Sequence, residues 1–384
     1  MTTNVTSIAR IRTAARKRAD RTRTNSRTST MLLLVMVVLV VIGLGATMSA
    51  SSTVGIRDAA DGLHYFKRQL LGAAIGVVAL LVATRVPYTA YRRLALPMYG
   101  ATIFLLITVA FMGTRAGGAQ SWLVFGPVNF QPSELAKFSV IAFLAVILER
   151  KTGRLQTWGH FLVPVGFIVG IVAVLLMRQP DLGTTILLGA AVIAVLWVSP
   201  APATKVMVLA LGGLAAALFL AVVADYRMDR IVGYLDPWSN ASTEGYQLIQ
   251  GYYALGDGGI FGVGLGASRA RWSYLPNAHT DFIFAIIGEE TGLIGAMTVI
   301  GLFFVLAVAG WSVTARAPDG FGRMLAAGIT AWLSFQALIN IGGVLGVIPI
   351  TGIALPFVSF GSTALVTSMA GLGVLVNISQ RCTR

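Results

Sequence analysis

Asp281 is the residue whose setting is best suited to chemistry. It lies in Pro276-Asn277-Ala278-His279-Thr280-Asp281-Phe282, at the start of a long apolar run that also carries Glu289 and Glu290. A carboxylate at the mouth of an apolar segment can act as a general base, and an apolar wall raises its pKa toward the working range. It can equally cap a helix or sit as an interfacial acid. His279 either tunes Asp281 or is a plain loop residue. In a regular helix Glu289 would lie about 12 Å deeper than Asp281 and about 80° round, with Glu290 nearly opposite. At most one glutamate then shares the Asp281 face. The plain alternative for both is pairing with basic residues on neighbouring helices.

Three further clusters place polar groups beside apolar runs. Gln131-Pro132-Ser133-Glu134 is followed by Lys137, and Arg178 precedes Gln179-Pro180-Asp181-Leu182-Gly183. Pro and an acid in a first turn suit an ordinary helix start. Lys137 fits that reading less well: it can pair with Glu134 at i+3, but it lies a turn deeper, where a cation needs a partner or a cavity. Two helix starts of one design, QPSE and QPDL, could aim their N-terminal dipoles at one anionic group. The last cluster is Asn340, then Pro349-Ile350-Thr351-Gly352 and Leu355-Pro356-Phe357-Val358-Ser359-Phe360-Gly361-Ser362. An apolar stretch so broken by Pro and Gly fits membrane depth only where protein buries it or a cavity solvates it, so an unwound or re-entrant segment beside a site is expected.

Other chemistries lack their residues. The chain has three histidines, His64, His160 and His279, and one cysteine, Cys382, which form no metal-ligand pattern and no disulfide. The Gly-rich GDGGIFGVGLGAS follows no βαβ strand, so it is not a nucleotide fingerprint. The residues establish no cofactor. A carboxylate-held Mg²⁺ or Mn²⁺ beside a phosphate remains an open option, and any metal ligands are unknown.

The elements that must position these residues are set by composition. Of 384 residues, 56% are hydrophobic and 11% charged. Soluble domains carry about 25% charged residues, so a soluble enzyme and a disordered chain are excluded. An all-α polytopic membrane protein remains. About ten transmembrane helices are expected, near 31–50, 69–86, 97–113, 132–149, 159–177, 182–199, 204–224, 281–314, 323–346 and 359–378. The eighth is long enough for a short lead-in segment plus a full span. Residues 1–30 read as a basic, disordered cytoplasmic tail, 31–378 as the ten-span membrane domain, and 379–384 as a short cytoplasmic C-terminus. The long link 225–280 reads as one extracytoplasmic loop, too aromatic for a plain linker.

Net charge is +14, but it does not imply nucleic acid: Arg10, Arg12, Arg16, Lys17, Arg18, Arg21, Arg23 and Arg27 lie in the tail with no nucleic-acid-binding fold beside them. Most of the remaining basic residues fall on the same proposed inner side, which puts both termini in the cytoplasm. The acids lie mostly outside or within spans, so polar chemistry is expected on the outer face.

SASS at 49–52, QPSELAK at 131–137, QPDLGT at 179–184, YLPNAHTDFIFAIIGEETG at 274–292 and PITGIALPFVSFG at 349–361, in that order, resemble the SEDS family of bacterial cell-wall proteins (shape, elongation, division and sporulation). The AIIGEE wording and the basic extension are more similar to its division branch than to its elongation branch. The resemblance implies ten spans with both termini cytoplasmic, in the bacterial cytoplasmic (inner) membrane and at the division septum. It implies polymerisation of lipid II into peptidoglycan glycan strands at the outer face, with a class B penicillin-binding transpeptidase and other divisome proteins as partners. The family's essential acid falls on Asp281. Two departures stand out. The outer loop reads Ser121 before Trp122 where the family often has Arg, with Arg115 as a substitute cation, and Gly361-Ser362-Thr363 replaces Gly-Gly-Ser.

On that resemblance Asp281 is expected to be the base of an inverting glycosyl transfer from undecaprenyl-diphosphate-linked glycan. Lys137 and Arg178 are expected to meet the leaving diphosphate. Substrate contacts are further expected from Gln131, Glu134, Gln179, Asp181, Trp122, His279, Glu289 and Ser359. The alternatives from other classes are a lipid II flippase and a non-catalytic divisome scaffold.

Overall fold

The computed structural model describes the backbone of residues 3–116, 119–125, 128–269, 275–276 and 278–382, and their side chains apart from 3–26, 53, 58, 115–116, 119, 125, 128 and 225–227. Each expected span is a helix. In chain order they are α1 (Thr3–Ala59), α2 (His64–Arg85), α3 (Ala90–Met112), α4 (Pro132–Arg150), α5 (Trp158–Arg178), α6 (Leu182–Val198) and α7 (Ala203–Val223). Two shorter helices follow in the long loop, α8 (Asp225–Leu235) and α9 (Tyr246–Gly258), and then α10 (Ile283–Arg316), α11 (Gly320–Val344) and α12 (Ser362–Gln380). Eight of the ten are long and apolar enough alone to cross a membrane. Of the other two, α6 has only 17 residues and α4 carries Glu134, Lys137, Glu149 and Arg150.

One boundary is corrected. The described first span begins at Arg27 rather than 31. Thr28 and Ser29 are buried, with Arg316 donating to Thr28 Oγ1 at 3.0 Å and Ser29 Oγ to Ser379 Oγ at 3.2 Å. The tail expected to be disordered is helical backbone from Thr3, as the start of α1, and the side chains of residues 3–26 lie outside the described ones. The all-α class stands, with one short addition. The link after α3 forms an antiparallel sheet, β1 (Thr114–Ala116), β2 (Ala119–Phe125) and β3 (Val128–Phe130), in the order β1-β2-β3. Two of its strands have three residues each, too short to show an alternating pattern.

The helices alternate in direction, as contacts at their ends show. At one end, Arg92 bridges Glu149 at 2.9 Å and Asp319 at 2.8 Å, and the Tyr88 hydroxyl donates to Asp319 at 3.0 Å. Tyr88 and Asp319 lie in the links after α2 and α10, Arg92 in the first turn of α3 and Glu149 in the last turn of α4. At the other end, the links after α3, α5, α9 and α11 meet around one cavity. The chain is therefore a multi-pass bundle. Within it α11 and α12 are central, 72% of each apolar stretch being buried, whereas α7 is peripheral at 6%.

α10 breaks at Gly292, with φ 67° and ψ −165°, which yields the expected lead-in segment ahead of a full span. A Cβ there would lie 2.4 Å from Ile260 O and 2.4 Å from Gly262 N. This backbone region is essentially restricted to glycine. Gly292→Ala is expected to destabilise the fold by at least about 1 kcal/mol, read as a lower unfolding midpoint in detergent. An unchanged midpoint would show that the break tolerates a side chain.

Candidate active site

Asp281 lies two residues before the start of α10 and is half-buried in the wall of a cavity of about 580 Å³. Its position is fixed by a zipper between residues 279–281 and the unwound segment 349–361. Asn340 Nδ2 donates to Asp281 O at 2.9 Å and to Ile353 O at 2.8 Å. Ser359 Oγ donates to Thr280 O at 2.6 Å and accepts from Leu355 N at 2.8 Å, and Phe360 N donates to His279 O at 2.9 Å. Gly352 lies beside Asp281 with φ 72°, a backbone conformation that favours glycine. The Pro- and Gly-broken sequence thus supplies the backbone polar groups that hold the acid.

Burial pushes the Asp281 carboxyl up to about 6, against the positive charge of Arg230 and a hydrogen bond from Thr280, both of which pull it down. Asp181, at the start of α6, is also pushed up by burial, while its hydrogen bonds with Thr184 oppose the shift. Its carboxylate accepts from Thr184 N at 2.9 Å, so the QPDL motif is a capped helix start that also faces the cavity.

The cavity gathers several of the expected residues: Trp122, Gln131, Glu134, Asp181 and Asp281 all line it. Ser121, in the place of the family arginine, is also in its wall, and the Arg115 side chain lies outside the described residues. The others are placed elsewhere. Lys137 is fully buried below the cavity, its Nζ 2.7 Å from Glu134 Oε2 and 2.9 Å from Gln336 Oε1, over the Trp332 ring. Gln336 in turn donates to Ala354 O at 2.8 Å. Ser359 acts as a strut. His279 packs against Tyr65 and Phe360. Gln179 is buried, with Nε2 3.5 Å from Leu106 O, and Arg178 is exposed away from the cavity lining.

The two glutamates of α10 also turn elsewhere. Glu289 accepts from Ser268 Oγ and, at 2.7 Å, from Arg269 N, tying down the glycine-rich loop. Glu290 accepts from Ser49 Oγ, which explains the SASS stretch as the partner of a buried carboxylate.

Sequence reasoning missed the contribution of the long loop. Arg230 and Tyr234 from α8, with Glu244, Tyr246 and Gln247, line the same cavity as Asp281. The loop's length and aromatic content marked it as functional but did not single out these residues. A second cavity of about 520 Å³ adjoins the first, sharing Trp122, Thr280, Phe360 and Gly361. Its wall includes Leu71, Ile75, Phe130 and Val366. Among the described residues no three His, Cys, Asp or Glu side chains are grouped as a metal site.

Residues 29–384 match a family described as cell cycle protein, which takes in FtsW, RodA and SpoVE. A probable peptidoglycan glycosyltransferase FtsW from Geobacter metallireducens is 37% identical over 335 residues, 87% of this chain and 89% of that one. Stage V sporulation protein E of Bacillus subtilis is 40% identical over 322 residues, 83% of this chain and 88% of that one. Among solved structures, a chain of a peptidoglycan synthase complex that coordinates polymerization and crosslinking superposes with a TM-score of 0.72. It is 27% identical and covers 91% of this chain and 97% of its own.

Proposed function

The chain belongs to the FtsW, RodA and SpoVE family of cell cycle proteins, and on that premise we propose that it is a peptidoglycan glycosyltransferase with Asp281 as its base. It polymerises lipid II at the outer face of the bacterial cytoplasmic membrane, for septal wall synthesis. It works beside a class B penicillin-binding transpeptidase and other divisome proteins. The observation that carries this reading is the half-buried Asp281 carboxyl in the wall of a polar cavity built by four links at one end of the bundle.

The reaction joins two lipid-linked sugars. The 4-hydroxyl of the acceptor attacks the anomeric carbon of the growing strand, and the bond from that carbon to the diphosphate oxygen breaks. Undecaprenyl diphosphate leaves with the bonding electrons. The α-linked diphosphate becomes a β-glycoside, so the step inverts. Asp281 takes the hydroxyl proton as the new bond forms, a role worth about 10²–10⁴-fold. The apolar second cavity offers the lipid chain a path beside the site.

A flippase is the competing reading, since broken helices also suit transport. Below the cavity, however, the Lys137–Glu134 pair and the fully buried Trp332 fill the space between α4 and α11. A translocation path would need that packing to open.

The base must be ionised to act. Polymerisation is therefore expected to rise with pH through the Asp281 pKa of about 6 and to fall roughly tenfold per pH unit below it. Initial rates across that range check this. A rate that stays flat from about pH 5 to 7 would remove Asp281 from the role.

A further inference from the structure

We propose that Arg230 is the cation that receives the diphosphate of the lipid-linked substrate, and that Lys137 is a positioning residue beneath the site. This rests on the transferase reading above. The sequence offers Lys137 and Arg178 for the task, and the structure takes both away from it. Lys137 is fully buried and already holds Glu134 and Gln336. Arg178 is exposed outside the cavity lining. Arg230 is the one basic residue among the described residues that line the cavity.

Its placement is built into α8. Arg230, Gly233 and Tyr234 stand at i, i+3 and i+4, hence on one helix face, and all three line the cavity. That face is pinned on both sides. The Tyr234 hydroxyl donates to Val347 O at 2.8 Å, anchoring α8 to the link after α11. Gly233 packs against Glu244 so closely that a Cβ would lie 2.7 Å from Glu244 Cβ.

Charge then sorts the ligand. The other charged side chains in the lining are Glu134, Asp181, Glu244 and Asp281, all acidic. Lys137 neutralises Glu134, and Asp181 is engaged as the α6 cap. A diphosphate in this cavity is repelled by every charged group except Arg230, so it settles on the α8 side. The sugar hydroxyls are left facing Asp281. A guanidinium suits this role because its fork can bond two phosphate oxygens at once. Placed there, it stabilises the charge that develops on the leaving diphosphate. Arg230 and Asp281 line the same cavity, so both can address one ligand there.

The test uses the full chain in nanodiscs, with farnesyl diphosphate as probe and farnesol as its uncharged control. Arg230→Ala is expected to weaken farnesyl diphosphate binding by about tenfold or more and to leave farnesol unchanged. Arg230→Lys, which keeps the charge but loses the fork, should fall between. In polymerisation assays Arg230→Ala should also move the acid limb to higher pH, because the charge that lowers the Asp281 pKa is gone. Farnesyl diphosphate binding by Arg230→Ala equal to wild type would overturn the proposal. So would a wild type that binds the diphosphate no better than farnesol. If Arg230→Ala loses the probe but wild type makes no polymer from lipid II, the cation site stands and the transferase reading falls.

Discussion

Asp281→Asn is expected to lower glycan polymerisation by about 10²–10⁴-fold while the protein stays folded. The substitution keeps size and removes basicity. The backbone bonds from Asn340 to Asp281 O and from Ser359 to Thr280 O do not involve the carboxylate, so the zipper that holds the residue survives. A half-buried neutral amide also escapes the desolvation that burial imposes on the carboxylate. Loss of rate with an unchanged unfolding midpoint separates chemistry from stability. A matching drop in midpoint would show instead that Asp281 is structural.

The second large effect concerns Lys137. Lys137→Met leaves the Glu134 carboxylate, 8% exposed, without the ammonium that lies 2.7 Å away, and strips Gln336 Oε1 of one donor. Breaking a buried pair from one side costs about 3–5 kcal/mol. Folded yield and unfolding midpoint in detergent should both fall well below wild type. Because Gln336 also bonds Ala354 O, the damage should reach the unwound segment that forms the cavity wall. The double variant Glu134→Gln/Lys137→Met leaves no buried charge and should recover most of the loss. A single variant as stable as wild type would show that the pair does not hold the bundle together.

These two residues illustrate what the sequence made legible. The ten spans were readable because apolar runs of membrane length leave little choice in a chain with 11% charged residues. Asp281 was readable because an acid at the start of such a run is costly, and costly residues mark sites. The Lys137–Glu134 pair was readable from its i, i+3 spacing, and it forms. The job of that pair was not: whether a buried lysine faces a cavity or fills a core depends on Gln336 and Trp332, which lie 199 and 195 positions further along the chain.

The glutamates of α10 show the same limit. Their need for partners followed from their burial, but Glu290 finds Ser49, 241 positions away, and Glu289 finds Ser268 across a loop. Periodicity along one helix contains no information on such pairings. Arg230 was hidden for a further reason. Nothing in the local sequence marks it, and only the seating of α8 through Tyr234 and Gly233 brings it to the cavity.

The most direct measurement supplies the purified chain and its class B transpeptidase with labelled lipid II, in sealed vesicles, and resolves the products by glycan length. Wild type is predicted to lengthen lipid II into a ladder of strands, and Asp281→Asn to leave it as monomer. Strands from Asp281→Asn at the wild-type rate, or transfer of lipid II across the bilayer by wild type with no lengthening, would contradict the account.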